Sequence, residues 1–328
     1  MGAMASPAGA RVLAIVLVPA LAVAPASAQV PSFPSQAELV YVRFHLERNG
    51  ASVGEVGKDQ LRVLEDGKPQ TIAVLETAAT RDRTVLPEVT LVLDVSSSVM
   101  DERLLDETLI RQVLFGSLHA QSKVALCAFG GRLECFAPPT RDASALMDAF
   151  NEALRFGYET RRQGTRLYAS VADLARQAAA TGGRAQRAMI LFTDALDTEG
   201  GRVKDAVEAA TAADVRVYAV KVSQAFQDTA RGGGPLGRGT PNRAMYDYRK
   251  LELDALPEAT GGRSFEPGTL DEKSLAKILR EIAGEISNEI IVGYQPEGAP
   301  TGRKRKVKVE LADKSLGKIR DGERTLVR

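Results

Sequence analysis

The chain has 328 residues, 44% of them hydrophobic, with 43 Lys+Arg against 42 Asp+Glu. That length supports one large domain with a smaller companion, and the composition is that of a globular protein with ample core. The near-equal charges exclude a general pull toward nucleic acid or an anionic membrane, so any partner must be chosen by a local site.

Residues 1–28 stand apart from the rest. Arg11 is their only charge, Val12 to Ala24 is almost wholly apolar, and Ala26-Ser27-Ala28 sets small residues ahead of Gln29. The run is short for a bilayer span and ends at a cleavage-type sequence. This predicts a signal peptide and a secreted or periplasmic bacterial protein. An uncleaved N-terminal anchor is the alternative. No other stretch approaches the roughly eighteen apolar residues of a spanning helix, so no transmembrane segment is expected in the mature chain.

Residues 29–37 are polar and Pro-bearing and read as a lead into an N-terminal β segment, 29–87. Glu38 to Glu47 alternates as a strand should. Gln60 to Leu75 holds two strand-like runs about Glu65-Asp66-Gly67, a hairpin turn signal. Arg81 to Pro87 reads as a linker.

From Glu88 the pattern changes. Val89 to Val95 is a continuous apolar strand, and Asp101 to Leu118 has helical spacing through Leu104, Leu105, Ile110, Val113 and Leu114. Val124 to Phe129 and Leu133 to Phe136 read as a hairpin. Helical patterns follow at 142–156 and 166–180, then a buried strand at Ala188 to Phe192, a helix at 202–213 and a strand at Val215 to Val222. Residues 224–248 form a Gly-rich, Arg-bearing insertion with little periodicity and no phosphate-loop spacing. A helix at 249–259, a short strand at Arg263 to Phe265 and a helix at 270–287 complete this domain, 88–287. Strands alternating with amphipathic helices predict an α/β fold: a mostly parallel, Rossmann-like sheet flanked by helices on both faces. Glu289 to Tyr294 and Lys304 to Leu311 are strands again. The C-terminal β segment, 288–328, is expected to pack with 38–77 as one β-sandwich-like unit, with the α/β domain inserted between its halves.

If Gly130 to Arg132 form a three-residue loop, Phe129 faces Leu133 and Cys127 faces Cys135. In an oxidising compartment that register allows a cross-strand disulfide; two buried thiols are the alternative. Without a CxxC spacing, a metal or redox role for the pair is not expected.

Asp94-Val95-Ser96-Ser97-Ser98 falls where a strand gives way to a helix. Alternate residues of such a loop point the same way, so one carboxylate and two hydroxyls can face one point. Hard cations such as Mg²⁺ take oxygen ligands of this kind. Ser and Asp are also ordinary helix N-caps, so DxSxS alone decides nothing.

Together with Thr165 in Gly164-Thr165-Arg166 and Asp194 in Phe192-Thr193-Asp194-Ala195, this stretch resembles the von Willebrand factor A family with its metal-ion-dependent adhesion site. The resemblance covers about 88–287. It implies one divalent cation, Mg²⁺ (or Mn²⁺ or Ca²⁺), held by Asp94, Ser96, Ser98, Thr165 and Asp194. A coordination position is left for an Asp or Glu carboxylate of a protein ligand. Ala195 stands where the family usually has Gly, and Ser97 and Val99 replace a common Gly and Met; none of these changes removes a ligand. Leu64 to Gln70 and Gly293-Tyr294 with the basic strand after it are similar to VWFA-related proteins of Acidobacteria.

Other signals carry less. Asp101 and Glu102 could form an adjacent metal site, but two acids in a helix's first turn are expected from the dipole alone. Asp197 either supports the Asp194 loop or is solvated. His45 and His119 are the only histidines and no GxSxG occurs, which argues against a Ser-His-Asp hydrolase. Arg303 to Lys308 fits the solvated face of a strand better than a polyanion site. The expected function is an exported binding or adhesion protein, not an enzyme. The alternatives are a structural scaffold of an envelope assembly with a purely structural metal, and a metal-dependent hydrolase.

Overall fold

The computed structural model describes Gly2 and residues 39–82, 85–101, 105, 107–181, 186–222, 243–267, 271–297 and 302–327. All but Gly2 of the expected signal peptide, the lead at 29–37, most of the 224–248 insertion and Glu102 lie outside these residues. Glu38–Arg328 forms one compact unit.

The N-terminal segment supplies β1 (Val40–Arg48), β2 (Ala51–Val53), β3 (Leu61–Glu65), β4 (Lys68–Gln70) and β5 (Ile72–Glu76). The Asp66-Gly67 turn between β3 and β4 has φ of 49° and 82°, the left-handed pair that a two-residue hairpin needs to match strand twist.

The α/β part then runs β6 (Glu88–Asp94), α1 (Ser97–Asp101), α2 (Glu107–Phe115), α3 (Ser117–Gln121), β7 (Lys123–Phe129), β8 (Leu133–Thr140), α4 (Ala143–Thr160) and α5 (Leu167–Thr181). It continues with β9 (Arg187–Thr193), α6 (Val203–Ala212), β10 (Val215–Lys221), α7 (Arg243–Thr260), β11 (Ser264–Phe265) and α8 (Glu272–Asn288). Two expectations are corrected here. The single helix over 101–118 is three short ones: Gly116, extended at φ −89° and ψ −179°, ends α2 and starts α3. The insertion also gives way to helix earlier than expected, because α7 begins at Arg243. Asp142 caps α4 by accepting from the amides of Ser144 and Ala145, and Asp271 caps α8 by accepting from Ser274.

Among the described residues the central sheet has six strands in the order β11-β10-β9-β6-β7-β8. All neighbours are parallel except the β7–β8 hairpin. Alternate residues of these apolar strands feed two cores. Leu91, Leu93, Leu126 and Ile190 pack with α4 and α8; Val92, Leu191 and Val217 pack with α5, α6 and α7. Burial on both faces is why the strands read as continuous rather than alternating hydrophobic runs.

After α8 come β12 (Ile290–Tyr294), β13 (Lys304–Leu311), β14 (Lys318–Arg320) and β15 (Glu323–Val327). The last two were not foreseen. β14 pairs with β1 and β15 with β13, each at the edge of one of two sheets, β14-β1-β12-β5 with β2 beside β1, and β15-β13-β3-β4. Phe44, Val63, Val292 and Val307 fill the core between them. Segments 40–76 and 290–327 therefore build one β-sandwich, and the α/β part is inserted between its halves.

A buried ion cluster joins the sandwich to the α/β part. Glu289, which follows α8, is paired with Arg216 of β10 and with Arg43 of β1 at 3.3 Å, and accepts from Gln186. Burial alone would raise the Glu289 carboxyl, but Arg216, then Arg43 and His45, outweigh it and hold the group well below the usual carboxylate range. Along α8, Glu281 and Glu285 pair with Arg263 at 2.6 and 3.3 Å, and Glu285 also with Arg320 at 2.9 Å. With Glu289 these acids stand four residues apart.

Candidate metal centre

Strand order places the candidate residues. The chain leaves β6 toward β7 on one side, while β9 lies on the other, so the order reverses between β6 and β9. A crevice opens at such a switch point, beyond the carboxyl ends of the strands. Asp94 ends β6, and Asp194 follows Thr193, the end of β9.

Asp94 is fully buried, and Ser96, Thr165 and Asp194 are 4%, 4% and 7% exposed. Asp94 Oδ1 accepts from the Ser96 amide at 3.0 Å, an Asx turn that bends the chain out of β6 and into α1. Its Oδ2 accepts from the Thr193 hydroxyl at 2.6 Å. The Ser96 and Ser98 hydroxyls lie 3.3 Å apart. Asp194 Oδ1 accepts from the Leu196 amide at 3.0 Å. Burial first, and the charge of Asp194 second, push the Asp94 carboxyl from 3.8 up to about 7, against the bonds from Ser96 and Thr193.

The loop carrying Thr165 is tied to its neighbours through its backbone. Thr165 N donates to the Thr198 hydroxyl at 2.7 Å, and Thr198 N donates back to Thr165 O at 3.0 Å. Gly164 makes this closeness feasible: a Cβ there would stand 1.8 Å from a Glu199 carboxylate oxygen. The β7–β8 turn holds the other side. Val95 N donates to Phe129 O, and Arg166 N to Gly130 O, each at 2.9 Å.

Ala195 adopts φ 63°, the left-handed conformation that glycine takes most easily. Its amide donates to the Thr193 hydroxyl at 3.1 Å. The substitution noted in the sequence thus keeps a glycine-like backbone at this point.

Asp197 is a loop clamp. Its Oδ1 accepts from Glu199 N and Gly201 N at 3.1 Å, and its Oδ2 from Tyr168 N at 3.0 Å. Asp101 is exposed and closes α1 rather than opening a helix. Cys127 and Cys135 stand opposite each other in the hairpin and are joined by a disulfide. His45 is buried beside Asp321 at the sandwich, and His119 contacts Arg141 O; neither belongs to this crevice.

Sequence reasoning missed Thr193, whose only local signal is its place directly before Asp194. It also missed the carbonyls of Phe129 and Gly130, which carry no residue-type signal.

Among the described residues no group of three or more His, Cys, Asp or Glu side chains gathers as for a metal. The crevice instead pairs two carboxylates, Asp94 and Asp194, with hydroxyl-bearing residues. Such an all-oxygen set suits a hard cation, and the fully buried, raised carboxylate beside a second acid is a group that a cation would stabilise.

A doubly wound α/β domain with an oxygen-rich crevice at its switch point defines the class. Residues 88–232 match the von Willebrand factor type A domain. Domains of this family commonly mediate protein–protein interaction and adhesion, and are usually interaction modules rather than enzymes.

Several solved structures are similar. A conserved hypothetical protein BatB from Bacteroides thetaiotaomicron is 21% identical, with 60% of this chain and 97% of that chain covered and a TM-score of 0.45. A von Willebrand factor type A protein from Catenulispora acidiphila is 12% identical over 89% of this chain and 74% of that one, with a TM-score of 0.44. The pilus adhesin SpaC from Lactobacillus rhamnosus GG is 12% identical over 88% and 47%, with a TM-score of 0.43. No curated protein matches the chain. Among the described residues no helix is long and apolar enough to cross a membrane.

Proposed function

We propose that the crevice holds one divalent cation, Mg²⁺ (or Mn²⁺ or Ca²⁺), on Asp94, Ser96, Ser98, Thr165 and Asp194. Through it the protein binds an Asp or Glu carboxylate of a protein ligand, and it works as an exported binding or adhesion protein. One observation carries this reading: Asp94 is fully buried with its carboxyl pushed up to about 7, and the Asp194 charge stands beside it. Two acids this close with one fully buried are costly to ionise together, and a 2+ ion would balance the pair.

Hydroxyl ligands matter for the affinity of an incoming anion. Two carboxylates roughly neutralise the ion, so a third gains most when the remaining inner ligands are neutral. Ser96, Ser98 and Thr165 are neutral donors of that kind.

The test is calorimetric titration of the whole chain with MnCl₂ and MgCl₂, beside Ser96→Ala/Ser98→Ala and Asp194→Ala. Saturable uptake of one ion by the natural chain, lost in both variants, is expected. Capture of a ligand that EDTA and Asp194→Ala both abolish would extend it to partner binding. No uptake of either ion by the natural chain would overturn the reading.

A further inference from the structure

The hairpin that carries the disulfide also holds two of the three loops of the crevice. Phe129 O and Gly130 O accept from Val95 and Arg166, one residue ahead of Ser96 and one after Thr165. The same turn lies against the end of α4 and the residues after it. A Cβ on Gly130 would stand 3.3 Å from Thr160 Oγ1, one on Gly131 would stand 2.4 Å from Gln163 Cβ, and Arg132 lies over the Phe156 ring at 4.5 Å. The third loop, with Asp194, follows β9 and meets the Thr165 loop through Thr198 rather than through this turn.

The strand that positions this turn is weakly laddered. β8 is the edge of the sheet, and Pro138 and Pro139 within it have no N–H to donate. Its register with β7 shifts between Val124 and Leu126 and again between Leu126 and Cys127. The Cys127–Cys135 bridge sits directly above those irregularities and two residues below Phe129 and Leu133. It is the covalent tie closest to the turn. Cys127 is 3% exposed, whereas Cys135 faces solvent on the edge strand.

We propose that the Cys127–Cys135 disulfide sets the cation affinity of the crevice and makes it respond to dithiol reductants. This rests on the cation reading above. A reductant thiolate attacks the sulfur of Cys135, the exposed residue of the pair, the S–S bond breaks, and Cys127 leaves as a thiolate that takes up a proton. The reductant's second thiol then displaces the mixed disulfide, which releases the Cys135 thiol and leaves the reductant oxidised to its own disulfide. The freed edge strand no longer fixes the turn, so the loops bearing Ser96, Ser98 and Thr165 loosen while Asp94 stays at the end of β6 and Asp194 directly after β9.

The experiment is Mn²⁺ titration of the whole chain in three states: oxidised, reduced with dithiothreitol that is then removed, and reoxidised, with Cys127→Ala/Cys135→Ala in parallel. Amide exchange is followed over 95–100, 130–132 and 161–166 and over β9. Reduction and the double variant are expected to weaken Mn²⁺ binding by roughly tenfold, the scale seen when supports behind metal ligands are lost. Exchange should quicken in segments 95–100, 130–132 and 161–166 and not in β9, and reoxidation should restore both. Equal Mn²⁺ affinity in oxidised and reduced chains overturns the redox control alone. A chain that binds no Mn²⁺ in any state overturns the cation reading itself.

Discussion

The Thr193 hydroxyl donates to Asp94 Oδ2 at 2.6 Å, across two neighbouring parallel strands and 99 residues of sequence. It ties the end of β9 to the end of β6 where both candidate acids leave the sheet. The same hydroxyl accepts from the Ala195 amide, so it also shapes the turn beyond Asp194.

Removing that hydroxyl without changing volume isolates its effect. Thr193→Val leaves a fully buried carboxylate one donor short and should destabilise the chain by about 1–3 kcal/mol at neutral pH in EDTA. Urea unfolding measures this, and Thr193→Ser should recover most of the loss. A Thr193→Val chain as stable as the natural one would show that the bond contributes nothing.

Asp94 predicts an unusual pH dependence in the absence of cation. Its folded carboxyl titrates near 7 against 3.8 when exposed, so between those values the folded chain binds more protons there than the unfolded chain does. Stability should therefore fall as pH rises from about 4 to 7. The full difference corresponds to on the order of 4 kcal/mol. Urea midpoints in EDTA across that range would show the decline. Asp94→Asn should flatten it, and saturating Mg²⁺ should reverse it.

Glu289 acts in the opposite sense and at lower pH. Its folded carboxyl is held below the 4.5 of the unfolded chain, so its stabilisation is complete above 4.5 and is lost as pH falls below that value. Glu289→Ala leaves Arg43 and Arg216 buried without their shared anion, and should cost about 3–5 kcal/mol at pH 7. Thermal unfolding monitored separately in the sandwich and the α/β part would also show whether the two then melt apart.

Ala195 offers a backbone test. At φ 63° a glycine is unstrained and a β-branched residue is strongly disfavoured. Ala195→Gly should stay within about 1 kcal/mol of the natural chain, because lost methyl burial offsets relieved strain. Ala195→Val should lose about 2 kcal/mol or more. Equal stability of the two variants, read by denaturant unfolding, would mean that the turn adopts another conformation.

What was legible in the sequence was local. Apolar runs ending in Asp94 and before Asp194 mark parallel strands with acids at their carboxyl ends, because a strand covered on both faces has no polar alternation to keep. Asp66-Gly67 announces its turn, since few residue pairs accept two consecutive positive φ angles. The register that sets Cys127 opposite Cys135 follows from counting through a short loop.

Only the tertiary structure decided the rest. Backbone carbonyls bear no residue signature, so nothing in the sequence marks Phe129 and Gly130 as the supports of two loops. Arg43 and Glu289 lie 246 residues apart, and their pairing exists only because segments 40–76 and 290–327 close into one sandwich. The strands β14 and β15 are short and polar on one side, and they become strands only where β1 and β13 present open edges to them. Contacts between distant segments are chosen by the packing of whole elements, and local preference cannot encode that choice.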